Sequence, residues 1–187
     1  MLKSEARTFF LKKRKSLSPI ELLKWDDLLL IQFQKLDWTH THVLGSFFPM
    51  EHHNEPNTLL LTNYLSFIIP DFKLGYPIVD STQHTMQFFP ATETTSTNKW
   101  GISEPMKSIA IPPQQIDTFL VPLLGFDLAG QRIGFGKGYY DKYFENIAST
   151  TLRIGISYFE PMEAILDTHQ FDVPLTHCIT PWKIYEF

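Results

Sequence analysis

Short apolar runs separated by stretches with helical spacing set the tightest limit on what this chain can fold into. Residues 43 to 48 read as a short buried strand, and further strands are expected at about 73 to 79, 84 to 89, 118 to 122 and 152 to 157, with one or two more between 178 and 185. Between them, helices are expected at about 57 to 67, 138 to 148 and 162 to 168. Two helices precede the first strand. Leu2, Ala6, Phe9, Phe10 and Lys13 recur at helical spacing over residues 2 to 16. Ser18-Pro19-Ile20-Glu21 then supplies a capping serine, a proline at the first helical position and a glutamate three residues after the cap, opening a helix to about residue 36. Strands alternating with helices call for a layered α/β fold around a largely parallel sheet. The threonine-rich stretch 92 to 98 reads as a mobile loop.

A chain of 187 residues, 43% hydrophobic and 19% charged, suits one packed domain. No apolar run approaches the roughly 18 residues needed to cross a bilayer, and the first residues mix charges into their apolar positions where a signal peptide would not. A lone cysteine, Cys178, cannot pair within the chain, so a reducing, cytoplasmic setting is expected. The net charge of −4 is unevenly spread, with six cations and one anion in the first 17 residues. The acidic remainder offers no second basic face, which argues against nucleic acid. Residues 12 to 15 are expected to form a solvated helix end whose cations complement the helix dipole.

Five of the nine glycines fall between Gly125 and Gly138. In Arg132-Ile133-Gly134-Phe135-Gly136-Lys137-Gly138-Tyr139-Tyr140-Asp141, alternate glycines can take positive φ and expose consecutive amides, forming an anion nest at a helix start. Arg132 and Lys137 add two cations, as a polyphosphate requires. The loop matches neither GxxxxGK[ST] nor GxGxxG, since Tyr139 stands where the latter has its third glycine. A purely structural turn is the alternative for the glycines. Asp141, near the start of the following helix, can hold Mg²⁺ beside phosphates or simply stabilise the helix start.

Taken together, Pro122-Leu123-Leu124-Gly125-Phe126-Asp127, Gly130, Arg132, Gly134 and Gly136-Lys137-Gly138-Tyr139-Tyr140-Asp141 resemble the signature of the 5-formyltetrahydrofolate cyclo-ligase (methenyltetrahydrofolate synthetase) family. Lys3 and Arg7 match its N-terminal Lys-x-x-x-Arg, Glu55 and Thr58 its Glu-x-x-Thr, and Gly101-Ile102-Ser103-Glu104-Pro105 its Gly-Ile-x-Glu-Pro stretch. Asp172, Pro174-Leu175 and Ile179-Thr180-Pro181 match its C-terminal segment, so the resemblance runs over essentially the whole chain.

The resemblance implies a single three-layer α/β/α, Rossmann-like domain, similar in fold to sugar-phosphate isomerases and CoA-transferases. It implies conversion of 5-formyltetrahydrofolate, polyglutamylated or not, to 5,10-methenyltetrahydrofolate with ATP and Mg²⁺. From charge and hydropathy no nucleic-acid or membrane partner is expected, and a monomer is expected with an oligomer left open. Lys3, Arg7, Arg132, Gly134, Gly136, Lys137, Gly138, Tyr139 and Tyr140 would hold ATP, and Asp141 with Asp172 the metal. Glu55 would contact the folate, with Phe48, Trp100, Phe135 and Tyr139 as candidate pocket walls. In a chain with 16 phenylalanines, core packing is the competing role for these aromatics.

Three features depart from the family pattern. Phe135 stands where relatives often carry Tyr or Arg, Asn57 replaces an acid two residues after Glu55, and residues 50 to 54 lengthen the preceding loop. His40-x-His42 and His52-His53 lack the partners of a zinc site, and no GxSxG nucleophile elbow occurs. The rival readings are a sugar-phosphate isomerase or CoA-transferase-like enzyme that uses the nest without ATP, and a nucleotide-binding regulatory module without turnover.

Overall fold

The computed structural model describes residues 1–98 and 101–187. Its main sheet has seven strands: β1 (Val43–Gly45), β2 (Lys73–Asp80), β3 (Thr85–Pro90), β6 (Thr118–Val121), β9 (Leu152–Ile156), β10 (His177–Ile179) and β11 (Ile184–Glu186), in the order β11-β10-β9-β6-β1-β2-β3. The five central strands pair in parallel, and β3 and β11 close the edges antiparallel. Two hairpins stand outside it, β4 (Thr95–Thr97) with β5 (Ser103–Pro105), and β7 (Gly125–Phe126) with β8 (Arg132–Ile133). The threonine-rich stretch is therefore partly an exposed strand rather than a free loop.

Helices α1 (Lys3–Lys15), α2 (Pro19–Phe33) and α3 (Thr58–Ile68) cover one face of the sheet, burying Phe10, Phe33 and Leu65 against Leu44, Leu120 and Ile154. Helix α4 (Tyr139–Phe144) covers the other, where Phe144 meets Phe119 and Val121. Adjacent residues Phe119 and Leu120 thus enter opposite cores, the behaviour of a strand buried on both sides. The expected capping box holds: Glu21 N–H donates to Ser18 Oγ (3.3 Å) and Ser18 N–H to Glu21 Oε2 (2.8 Å).

Three expectations are corrected. Residues 162 to 168 form no helix, because their amides find partners far away in sequence: Met162 N–H donates to Phe126 O, Ile165 N–H to Asp127 Oδ2 and Leu166 N–H to Met1 O. Helix α4 spans six residues instead of eleven, so its dipole contributes little to anion binding. Arg14 is not part of a solvated helix end. Its neighbours Lys12, Lys13 and Lys15 are exposed, but its own side chain is fully buried.

Candidate active site

The connection from β1 to β2 runs through α3 on one face, and that from β6 to β9 through α4 on the other. The chain therefore splits at β1 and β6, and the loops leaving their carboxyl ends stand where an open α/β sheet usually takes its ligand. After β1 comes the segment that carries Phe48 and Glu55. After β6 comes the glycine loop. Contact between the two is direct, with the rings of His53 and Phe135 5.3 Å apart.

The glycine loop is built around helix α1. Gly136 (φ 84°) and Gly138 (φ 69°) occupy the left-handed region, which a side chain would strain. Gly134 does not; its carbonyl accepts from Arg7 Nε at 3.0 Å. A Cβ on Gly136 would lie 3.2 Å from Arg7 Cζ, so the guanidinium rests directly on the loop backbone. Lys3, one turn earlier on the same face, reaches Asp172, with Nζ to Oδ2 at 2.5 Å. Arg132 reaches Asp141, with Nη2 to Oδ1 at 2.6 Å, and also donates to the carbonyl of Val173. Val173 N–H donates to the same Asp141 oxygen at 3.2 Å. The expected phosphate cations Lys3, Arg7 and Arg132 and the expected metal carboxylates Asp141 and Asp172 thus form one cluster. Burial pushes the Asp172 carboxyl up, but the Lys3 ammonium and the His169 amide outweigh it and leave it below its ordinary value. Lys137 is exposed at the tip of the loop, where His84 Nε2 donates to its carbonyl (3.0 Å).

The two tyrosines after the loop diverge. Tyr139 packs beside His84, ring centroids 4.7 Å apart, and lines a cleft of about 520 Å³ with Met86, Ile111 and Lys142. Tyr140 turns inward, and its hydroxyl is buried with no hydrogen-bond partner.

Glu55 is the buried acid of the site, 7% exposed. Its Oε2 accepts from Met50 N–H (2.9 Å), while its Oε1 has no hydrogen-bond partner among the described residues. Thr58, three residues on, donates through Oγ1 to Phe47 O (2.7 Å) and pins this segment to the end of β1. Burial raises the Glu55 carboxyl to about 7, a rise that the Met50 amide and the Arg14 charge only partly offset. Phe48 stacks on Tyr76 with centroids 3.9 Å apart, and Phe135 is half-buried over His53. Trp100 lies outside the described residues.

Sequence reasoning missed Arg14. It lies eleven residues after Lys3 and seven after Arg7, a spacing that returns it to their face of α1, and that phase was the available signal. These features place a glycine loop with clustered cations and a buried acid at the carboxyl ends of neighbouring parallel strands of an α/β fold. The model of the 5-formyltetrahydrofolate cyclo-ligase family matches residues 1–181, and the chain belongs to that family.

The 5-formyltetrahydrofolate cyclo-ligase of Mycoplasma genitalium is 45% identical over 69 residues, 36% of this chain and 42% of that protein. The enzyme of the same name from Escherichia coli K12 is 30% identical over 105 residues, 54% of this chain and 57% of that protein. The chain thus aligns with about half, or less, of the length of these curated relatives. Solved structures match more broadly. A 5,10-methenyltetrahydrofolate synthetase from Aquifex aeolicus superposes with a TM-score of 0.82 at 26% identity, covering 100% of this chain and 93% of that one. One from Mycoplasma pneumoniae gives 0.76 at 29% identity, covering 96% and 98%.

Proposed function

We propose that the protein cyclises 5-formyltetrahydrofolate to 5,10-methenyltetrahydrofolate with consumption of ATP and release of ADP and phosphate. The observation that carries this reading is the direct contact between the segment bearing a buried carboxylate, Glu55, and a glycine loop on which the Arg7 guanidinium rests. Lys3, Arg7, Arg132 and Lys137 against Asp141 and Asp172 leave a local excess of two positive charges. That excess matches a magnesium-bound nucleoside triphosphate, which carries about two negative charges.

Asp141 and Asp172 suit Mg²⁺, which commonly takes one or two protein carboxylates beside phosphate oxygens, and the ion would neutralise charge on the transferring phosphoryl group. Arg132, paired with Asp141, and Lys3, paired with Asp172, are then displaced toward the phosphates. The amides around Gly136 and Gly138 take phosphate oxygens near the backbone. Gly134 contributes by orienting Arg7, and Tyr139 and Tyr140 bound the loop on its two sides. Glu55 accepts N–H donors of the pteridine, between Phe48 and Phe135 as walls.

The chemistry needs mostly placement and charge neutralisation. The formyl oxygen attacks the γ-phosphorus and ADP leaves. The resulting iminium phosphate is attacked at carbon by N10, the carbon–oxygen bond breaks, phosphate departs with the former formyl oxygen, and N10 loses its proton. Mixing the protein with 5-formyltetrahydrofolate and MgATP, and omitting each component in turn, tests this reading by the absorbance of the methenyl product. Product only in the complete mixture is expected. Its absence with folded protein would turn the reading toward a phosphate-ligand enzyme or a regulatory module, which ATP binding separates.

A further inference from the structure

Arg14 has no place in the phosphate cluster and is too costly to be a bystander. A guanidinium buried completely loses its hydration, and burial lowers its proton affinity against the pull of Glu55. One bond repays part of the cost, Nη2 to Leu123 O at 2.6 Å. Nε and Nη1 have no hydrogen-bond partner among the described residues. The nearest approach of Nη1 to Glu55 Oε1 is 3.9 Å, too long for a hydrogen bond but close enough for strong attraction in a desolvated setting. A buried ion pair that served only stability would close this gap and satisfy both partners. Here the charges meet and the hydrogen bond is withheld. The loop that carries Glu55 is also tied to the same helical turn, since Asn54 Nδ2 donates to Arg14 O at 3.1 Å.

We propose that Arg14 is a positioning residue for the substrate-holding carboxylate: its charge favours the anionic form of Glu55 without a hydrogen bond to Oε1, which is left for an N–H donor of the pteridine. The proposal rests on the reading of Glu55 as the folate acceptor. Burial, the Met50 amide and the charge of Arg14 from α1 act on Glu55, which in turn acts on Tyr140 from α4 and Tyr158 beyond β9, and His53 lies in its own loop. Burial holds both phenols protonated far above neutrality. Burial first, then His52, Lys15 and Arg14, push the His53 pKa down. Glu55 is therefore the group of this set that changes charge near pH 7.

The test is the dissociation constant of 5-formyltetrahydrofolate by calorimetry from pH 5.5 to 9, with the KM for ATP measured alongside, for wild type, Arg14→Lys, Arg14→Met, Glu55→Gln and the double variant Arg14→Met/Glu55→Gln. In wild type, folate affinity rises as pH passes through about 7 and then levels off. In Arg14→Met the midpoint moves up by at least one pH unit. Affinity at pH 7 then falls by about fivefold or more and recovers toward pH 9, and the KM for ATP stays within about twofold. Arg14→Lys keeps the charge and returns the affinity to within about threefold of wild type. A folded Arg14→Met with an unmoved midpoint overturns the proposal, as does a loss that is equal at every pH and shared with ATP.

Glu55→Gln separates the two readings. If it binds folate as wild type does, the acceptor role of Glu55 itself fails; if it weakens binding while Arg14→Met leaves the midpoint in place, only the role of Arg14 fails. Should Arg14→Met not fold, the double variant, with no buried charge at this place, is compared with Glu55→Gln. Equal folate affinity within about twofold supports action through Glu55, and a further tenfold loss overturns it.

Discussion

A residue's exposure and its partners, more than its type, decide what it does in this protein. Lys12 and Arg14 are two positions apart, yet one is solvated and the other is sealed behind Glu55. Cys178 is fully buried and its thiol is pushed well above its ordinary value by burial, so the thiolate needed for reaction does not form at neutral pH. A thiol-reactive dye should leave the native protein unmodified over minutes and label one site per chain in denaturant; prompt native labelling would contradict the packing. Asp141→Asn should lower turnover by about two orders of magnitude and raise the Mg²⁺ concentration needed for half-maximal rate. Lys137→Ala, at the exposed loop tip, should raise the KM for ATP by about tenfold with unchanged melting temperature. An unaltered KM would make the glycine loop a structural turn.

At the scale of elements, helix α1 joins the two parts of the candidate site, because Lys3 and Arg7 reach Asp172 and the glycine loop and Arg14 reaches Glu55 along one face. Its start shows how it is held. Leu2 has no side-chain acceptor, so only half of a capping arrangement is local, Leu2 N–H to Glu5 Oε2 at 3.0 Å. The other half comes from across the molecule, Lys3 N–H to Asp167 Oδ1 at 2.7 Å. Met1 adds main-chain bonds to Ala164 and Leu166. Asp167→Ala should therefore cost about 1 kcal/mol of stability and raise the KM for ATP several-fold, leaving folate affinity alone. By contrast Ser18→Ala, at the locally complete cap of α2, should cost a similar amount in a denaturant titration with no kinetic effect, since α2 carries no residue of the site.

For the whole molecule, the buried acid makes stability depend on pH in a particular window. Glu55 has its ordinary value near 4.5 in the unfolded chain and about 7 in the folded one, raised by burial. Its contribution to stability is fully present below about 4.5, declines between about 4.5 and 7, where the unfolded chain has released the proton that the native carboxyl still holds, and is level above. The melting temperature of the free protein should fall across that window by something on the order of 5 °C, and the slope should flatten in Glu55→Gln. A wild-type slope unchanged by that substitution would mean that other groups carry it.

Local chemistry was enough to read most of the elements and much of the site. The alternation of short apolar runs with amphipathic stretches predicts the α/β order, since a strand buried on both faces and a helix buried on one leave different periods in sequence. The glycines, the two cations among them and Asp141 mark the phosphate loop because backbone conformation and charge are properties of the residues themselves. What sequence could not supply was decided by groups brought together from far apart. The 162 to 168 stretch lost its helix to acceptors at Phe126, Asp127 and Met1. Adjacent Tyr139 and Tyr140 part, one ring packing beside His84 and the other burying its hydroxyl, and the acid at position 55 became a high-pKa carboxylate only when folding removed its water. Burial is a collective property, and so the charge state of Glu55 and the task of Arg14 exist only in the folded chain.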